Sequence, residues 1–516
     1  MATETAAVSL TSTLSTRMMS HLRAQFSRDL QWSQSNSNLP LTRIPGILDG
    51  FGRSTILPRE TREHRAHFAE TLSHEGQRHS WKFGGDALLT TIYNFFPSTF
   101  GGEFIFYPIN VDPFTFQPLP GGLELTPLRA YAHQVPHYYF QRFGPAVSHP
   151  NSNDYAVFAQ DTMRLNNHLG LTLGVRYDLQ TFATRYLNTN PLWADSGKVA
   201  RDLNNFAPRA GVSYAFGDVR PTMVRIGYGL FYPRIPQIYN SAIETENGLT
   251  PTSIFLNRNN YYDRQIFPQY PYSLVNCTAL AASCAPPTSL LQFAKSDISA
   301  FAHNFRTPEV HQVSVTVERE LAHRVIAELS YSFVHGQNLI RPRDMNLPKP
   351  TEVQYPIYDS SGLNLLGYGS VETFSSWQFS SSLTCPFPPC INPLARSLPQ
   401  LGSINVFESA ASSVYHGGTI SLKRQMTHGL YFRLGYTYAH AIDDGQDALV
   451  AGRPATVQNS YAASSERGNS VTDQRRRFVF SWISSLERSI MAKAGRGNFR
   501  RGGKLLELLR VAAAAQ

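Results

Sequence analysis

The chain has 516 residues, of which 42% are hydrophobic, 12% aromatic and only 16% charged. This composition excludes a long coiled coil, which needs more charge, and a disordered chain, which has too little apolar surface to bury. More than half of the formal net charge of +9 comes from residues 487–510. Basic residues elsewhere are scattered singly, so nucleic acid is not a predicted partner.

The N-terminal region predicts strands and no export signal. Residues 1–15 lack a basic stretch followed by an apolar one, so we expect no signal peptide there. The chain also has no apolar run long enough for a transmembrane helix. Aromatic and β-branched segments broken by Gly, Pro, Asn and Asp predict further strands near 5–15, 18–30, 62–72, 79–91 and 100–107.

A strict alternation of apolar and polar residues begins in the second quarter of the chain. In residues 168–180, the odd-numbered positions from Leu169 to Leu179 are apolar and the even-numbered ones are polar or glycine. A period of two indicates a strand with one apolar and one polar face. The same pattern recurs in 206–216, 222–232 and 430–440.

Short polar connections join these strands into hairpins. The connections are Asn166-Asn167, Gly217-Asp218, Glu320 to His323 and Thr427 to Gly429. Between hairpins the gaps are long, near 235–306 and 340–413. Short turns on one side and long loops on the other are typical of outer-membrane β-barrels, whose polar face lines a wet lumen.

Aromatic residues near the strand ends fit interfacial girdles. They are Tyr155, Tyr177, Phe231, Tyr232, Tyr331, Phe333, Tyr438 and Trp482. We therefore predict an all-β fold, a partial transmembrane antiparallel β-barrel of about fourteen strands. The alternative is a soluble β-sandwich or propeller whose apolar faces pack on one another.

The four cysteines form two close pairs in stretches rich in Pro, Ser and Ala. These pairs are Cys277 with Cys284 and Cys385 with Cys390. Each pair can close a small disulfide ring in an oxidising compartment, and free thiols are the alternative. The spacing is wrong for zinc, and histidine partners are not near.

Several segments in order resemble one known family. The segments are DYAVFAQDTMRLNNHLGLTLGVRYDLQ, NNFAPRAGVSYAF, RIGYGLFY, TSTLSTRMMSHLRAQFSRD, HSWKFGGDALLT, FGGEFIF, HQVSVTVEREL, YTYAHAIDD and ERGNSVTDQRRRFVFSW. Over residues 5–484 the chain resembles the β-barrel of TonB-dependent outer-membrane receptors of the Oar-like group. It departs from the usual pattern with Met163 in place of Trp and Arg476 in place of His.

The resemblance implies missing parts. Such receptors have a signal peptide, a TonB-contacting segment, a plug and a final strand with a terminal aromatic, so we expect this chain to be a fragment lacking them. The predicted domains are a barrel region, 1–485, incomplete at both ends, and a basic non-barrel tail, 486–516. The tail loses the alternation and gains Arg, Gly and Ala, which suggests a sequence foreign to the family or a solvated basic extension.

The sequence contains no convincing catalytic or metal motif. His74 to His79 reads HEGQRH, one residue too long for the HExxH zinc motif and placed between strands. Asp443, Asp444 and Asp447 begin a loop in which the Gly comes too early for an EF-hand. We predict no enzyme, no cofactor and no metal, and we assign no substrate-binding residues.

The predicted function is substrate uptake across the outer membrane. Long loops would capture a substrate, and by resemblance the TonB complex would drive its passage. The alternatives are a passive porin, or a structural or adhesive surface protein without transport. Loop aromatics such as Tyr261, Tyr262, Tyr270 and Tyr272 can stack on a sugar or peptide, or can simply pack within the loops.

Overall fold

The structure is a computed structural model. It describes residues 1–217, 220–278, 280–321, 324–360, 364–373, 396–427, 430–445, 457, 459–484 and 509–514. No helix within these ranges has the length and apolar character needed to cross a bilayer.

The described residues form mostly strands. The first sixteen are β1 (Ala2–Ser15), β2 (Met18–Ser33), β3 (Leu41–Ile44), β4 (Leu48–Phe51), β5 (Arg59–Glu75), β6 (His79–Phe95), β7 (Glu103–Ile105), β8 (Ile109–Val111), β9 (Leu123–Leu125), β10 (Tyr138–Arg142), β11 (Gly144–Pro145), β12 (Val147–Ser148), β13 (Ser152–Arg164), β14 (Leu169–Phe182), β15 (Phe206–Phe216) and β16 (Thr222–Phe231).

The later strands are β17 (Ser253–Asn257), β18 (Ser283–Cys284), β19 (Ala294–Phe301), β20 (Glu309–Glu320), β21 (Val325–Asp344), β22 (Thr351–Tyr358), β23 (Leu365–Thr373), β24 (Leu401–Thr427), β25 (Leu430–Asp443), β26 (Gly468–Asn469), β27 (Arg476–Ser484) and β28 (Leu509–Ala514). The helices are α1 (Pro127–Ala132), α2 (Gln237–Thr245) and α3 (Tyr261–Ile266), with 3-10 turns at Thr288–Leu290 and Ala463–Glu466.

Fourteen of the described strands form one continuous antiparallel surface, which we call the wall. Its order is β1, β2, β5, β6, β13, β14, β15, β16, β20, β21, β24, β25, β27 and β28. Each strand pairs with the wall strand before it in the chain. This up-and-down order is the one in which an outer-membrane barrel is built.

The connections of the wall alternate in length. Two to five residues join β1 to β2, β5 to β6, β13 to β14, β15 to β16, β20 to β21 and β24 to β25. Longer segments, such as 96–151 and 232–308, make the other connections and carry the small strands and the three helices. The predicted asymmetry of turns and loops is therefore present.

The wall has an apolar face and a polar face. Val157, Tyr177 and Phe206 lie in one cross-strand row on the apolar face, and Val157 is 60% exposed. On the polar face, Arg225 Nη1 lies 2.9 Å from Glu318 Oε2, and the hydroxyl oxygens of Thr419 and Thr437 are 2.8 Å apart. Large apolar side chains exposed along a whole face need a hydrocarbon surrounding, since in water such an area would be covered.

The buried core lies in the long connections. Strands β7, β10 and β17 form a small sheet that β3 extends, and β19 connects it to the wall by pairing in parallel with β24. Phe104, Phe106 and Tyr139 are fully buried there. The long connections therefore fold as a packed cap at one end of the wall.

The structure corrects two strand predictions. Residues 100–107 supply only the short β7, which belongs to the cap and not to the wall. In the tail, the backbone of β28 pairs with β27, where the alternation had suggested no strand. The division of the chain at residue 485 stays a prediction, and the fold class, a partial antiparallel β-barrel, is confirmed.

Candidate functional site

Residues 233–246, here called the inner segment, lie against the polar face of the wall. The segment follows β16 and contains α2. The helix begins after Pro236, whose extended backbone precedes Gln237. Tyr239 and Ile243, one turn apart, are buried together with Phe301 and Phe407. The apolar side of α2 thus packs on Phe301 of the cap and on Phe407 at the start of wall strand β24.

A series of hydrogen bonds fastens the inner segment to the wall and to the connection that precedes β13. The side chain of Gln180 on β14 accepts from the N–H of Ile235 at 2.8 Å and donates to its carbonyl at 3.2 Å. Gln237 Nε2 donates to Ser152 Oγ on β13 at 2.8 Å. The backbone N–H of His149 donates to Glu244 Oε2 at 2.7 Å. These bonds follow the segment from one end to the other.

A buried ion pair joins the end of the inner segment to the cap. The guanidinium of Arg142 on β10 donates to the carboxylate of Glu246. Ser299 Oγ donates to the other oxygen of that carboxylate at 2.7 Å. Although burial opposes the charged guanidinium, Glu246 and Asp297 hold the pKa of Arg142 above its usual range. The Arg142 guanidinium therefore stays charged in its buried position.

Glu244, two residues earlier and on α2, is also buried but has a histidine beside it in place of an arginine. Burial raises the pKa of the Glu244 carboxyl, and the hydrogen bonds from His149 only partly offset this effect.

A cavity of about 370 Å³ separates the inner segment from β5 and β6. Its lining mixes polar and apolar groups, including Arg59, Thr61, Asn94, Phe96, Arg142, Tyr239 and Glu246. A partly open cavity of this size, with a few placed polar groups, is what a solute-binding site requires.

The family assignment agrees with this architecture. The profile of the outer membrane β-barrel domain family matches residues 2–490. The chain belongs to this outer-membrane β-barrel family. Its apolar face therefore contacts the lipid of the outer membrane, and its polar face lines the lumen of the barrel.

Solved outer-membrane proteins show a distant similarity. The transporter YddB from Escherichia coli is 10% identical, over 93% of this chain and 48% of that chain, with a TM-score of 0.47. The FrpB iron transporter from Neisseria meningitidis is 12% identical, over 94% and 48%, with a TM-score of 0.44. A mutant of the ferric enterobactin receptor PfeA from Pseudomonas aeruginosa is 12% identical, over 93% and 47%, with a TM-score of 0.42.

This barrel chain spans about half the length of those solved proteins. At this level the similarity carries no argument about substrate or mechanism. No curated protein sequence matches the chain significantly.

The barrel places the predicted girdle residues on both faces. Tyr155, Tyr177 and Tyr331 lie on the apolar face, as predicted. Phe231 does not. It follows Leu230 directly, so its side chain points to the polar face, where it lies under the guanidinium of Arg209. Tyr232, just beyond the strand, lines the same lumen-side cavity as Phe231.

The loop aromatics divide into packed and exposed residues. Tyr270 packs edge-on against Phe104 and Phe106 in the cap. Tyr261, Tyr262 and Tyr272 are exposed. Tyr270 is therefore partly buried against the core of the cap, and the sequence had no local feature that distinguished it from the others.

The histidine and aspartate segments that resemble metal motifs make other contacts in the structure. His79 Nδ1 lies 2.7 Å from Asp161 Oδ2 on the wall. Asp444 accepts the backbone N–H of Ser412 and so fastens a loop. Asp447 lies outside the described residues. In the ranges that the structure describes, no three His, Cys, Asp or Glu residues group as metal ligands.

Cys277 and Cys284 lie within disulfide reach. Their Cα atoms are 5.8 Å apart and their sulfur atoms are at bonding distance. Gln141 Nε2 approaches the Cys277 sulfur at 3.5 Å inside the buried core of the cap. Cys385 and Cys390 lie outside the described residues.

Proposed function

We propose that the chain forms the wall of an uptake channel in the outer membrane, in which the inner segment narrows the lumen and selects the solute. The observation that carries this proposal is the set of hydrogen bonds from Gln180, Ser152 and His149 to the inner segment. A purely adhesive protein has no need to fix a helix across the polar face.

On the resemblance of the sequence, we also propose that the TonB complex of the inner membrane drives the passage. The inner segment fits a passive porin as well, because a loop folded into the lumen restricts diffusion in either case. No catalytic step is part of the proposal, and the absence of enzymatic activity stays a prediction.

Solute flux through proteoliposomes tests the proposal. Flux of small polar solutes through the full chain, faster when Gln180 and Gln237 are both replaced by Ala, is the expected result. Impermeable liposomes containing correctly folded protein, with and without the substitutions, would leave only the adhesive alternative. Uptake in cells with and without TonB then separates the receptor from the porin, since only the receptor loses uptake.

We propose further that Cys277 and Cys284 are oxidised in the mature protein, and that Cys385 and Cys390 form a second loop disulfide. The close approach of the first pair supports its oxidation, while only the sequence spacing supports the second. Peptide mass mapping with and without reductant checks each pair separately.

A further inference from the structure

A second cavity lies on the polar face, beside the start of the inner segment. Its volume is about 200 Å³, and it is lined by β6, β13, β14, β15 and residues 231–234. Six charged side chains line it: Asp86, Asp154, Asp178, Arg176, Arg209 and Arg234.

Asp154 is buried in this cavity without a hydrogen bond. The residue is 7% exposed, and neither carboxylate oxygen has a hydrogen-bond partner among the described residues. The cation beside it is Arg234, whose Nε lies 3.6 Å from Asp154 Oδ1, beyond hydrogen-bond reach. A buried carboxylate without donors is costly, so the site is incomplete as it stands.

The neighbouring charged side chains do not donate hydrogen bonds to Asp154. Arg176 donates to Asp178 at 2.8 Å and to Asp86 at 3.0 Å, so these three groups satisfy one another. Arg234 is half exposed. Arg209 stacks on Phe231 with its guanidinium carbon 4.7 Å from the ring centre, and it has no carboxylate partner among the described residues.

The cavity therefore offers one unsatisfied anion and two available guanidinium groups. The formal charges of its lining cancel, since three carboxylates face three guanidinium groups. A ligand that carries separated charges but no net charge fits such a lining better than a simple ion does. The cavity is also smaller than the roughly 300–1,000 Å³ of sites for drug-sized ligands.

We propose that this cavity binds a zwitterionic solute, a free α-amino acid or a short peptide of small residues. The ammonium group donates to Asp154, and the carboxylate accepts from Arg234 and Arg209. This inference rests on the proposed function, because it names the class of solute that the channel selects.

Calorimetric titration of the folded full chain in detergent tests the site with alanyl-alanine as the probe. The matched control ligand is N-acetyl-alanyl-alanine amide, which has the same backbone and no charge. We expect the blocked peptide to bind about tenfold more weakly or worse, because charged hydrogen bonds are lost at both ends.

Three variants locate the binding. D154N and R234Q should each weaken dipeptide binding about tenfold, while the thermal midpoint of D154N stays equal or rises, because a buried unpaired carboxylate is removed. R234Q changes a half-exposed side chain and serves as the second variant if D154N does not fold. The control is R225Q, on the same polar face but paired with Glu318 outside this cavity, and it should bind the dipeptide normally.

The outcomes separate this inference from the uptake function. Equal binding of the free and blocked peptides, no binding by folded wild-type protein, or normal binding by both D154N and R234Q would overturn the inference. Liposome flux without preference for alanyl-alanine would also count against the site while leaving uptake intact. Asp154-dependent binding in a protein that conducts no solute would support the site and overturn the uptake function.

Discussion

Gln180 and Ile235 form a reciprocal pair of hydrogen bonds across the lumen side of the barrel. One side-chain amide satisfies both the N–H and the C=O of a single loop residue. Ile235 immediately precedes Pro236 and the start of α2. The pair therefore fixes the point at which the chain turns from the wall into the inner segment.

Replacing Gln180 by Ala should loosen the inner segment. Two hydrogen bonds are lost and two backbone groups of Ile235 are left without partners, at a cost of about 1–3 kcal/mol. We expect faster solute flux through liposomes and faster trypsin cleavage after Arg234. Gln312→Ala, on the polar face of β20, is the matched control. Equal flux in both variants and wild type would show that Gln180 does not hold the segment.

Arg142→Gln should destabilise the cap by about 3–5 kcal/mol, because Glu246 would remain as an uncompensated buried charge. The thermal midpoint, followed by near-ultraviolet circular dichroism, measures the loss. The double variant Arg142→Gln with Glu246→Gln should recover most of it, since no buried charge remains. An equal loss in the single and double variants would mean that packing, and not charge, is responsible.

An exposed ion pair provides the comparison for that experiment. Lys198 and Asp195 are 3.0 Å apart, but Lys198 is largely exposed. Lys198→Gln should therefore change stability by less than about 1 kcal/mol.

His137 should make the cap sensitive to acid. Its Nδ1 lies 3.0 Å from the carbonyl oxygen of Pro108, and its Nε2 lies 3.1 Å from Asn259 Nδ2. These partners suit a neutral ring that donates from Nδ1 and accepts at Nε2. Burial lowers the pKa of His137 below its ordinary value of 6.5, so the unfolded chain takes up this proton first as the pH falls.

The contribution of His137 to stability is therefore complete above the unfolded pKa and is lost as the pH falls through the interval between the two pKa values. We expect the thermal midpoint to drop between about pH 7 and about pH 5 by more in wild type than in His137→Asn. Asn keeps a donor for Pro108 and cannot be protonated. If the thermal midpoints of the two proteins fall equally with pH, a group other than His137 causes the acid sensitivity.

The wall could be predicted from the sequence because the alternation of apolar and polar residues is a local pattern. The alternation from Leu169 to Gln180 is decided by neighbouring residues, and lipid on one side with water on the other preserves it along the strand. Phe231 was misplaced because it is an apolar residue at a polar-face position of β16, where the guanidinium of Arg209 covers its ring.

The site was not predictable in the same way. Gln180 and Ile235 are separated by 55 positions, and Arg142 and Glu246 by 104. Asp154 sits in an ordinary alternating strand, and only the fold of the inner segment buries it. Contacts between residues so far apart leave no local sequence pattern, so these residues could not be distinguished from other polar positions.

Two substitutions on β13 test the assignment of its faces. Val157 lies on the apolar face near the middle of the strand, and Gln160 lies on the polar face three residues later. Val157→Arg should lower the free energy of unfolding from lipid vesicles, and so destabilise the barrel, by about 2–4 kcal/mol, because an arginine faces hydrocarbon there. Gln160→Arg should change it by less than about 1 kcal/mol, since lumen water solvates the new charge. Urea titration in vesicles measures both values, and a larger loss for Gln160→Arg would mean that the two faces are assigned the wrong way round.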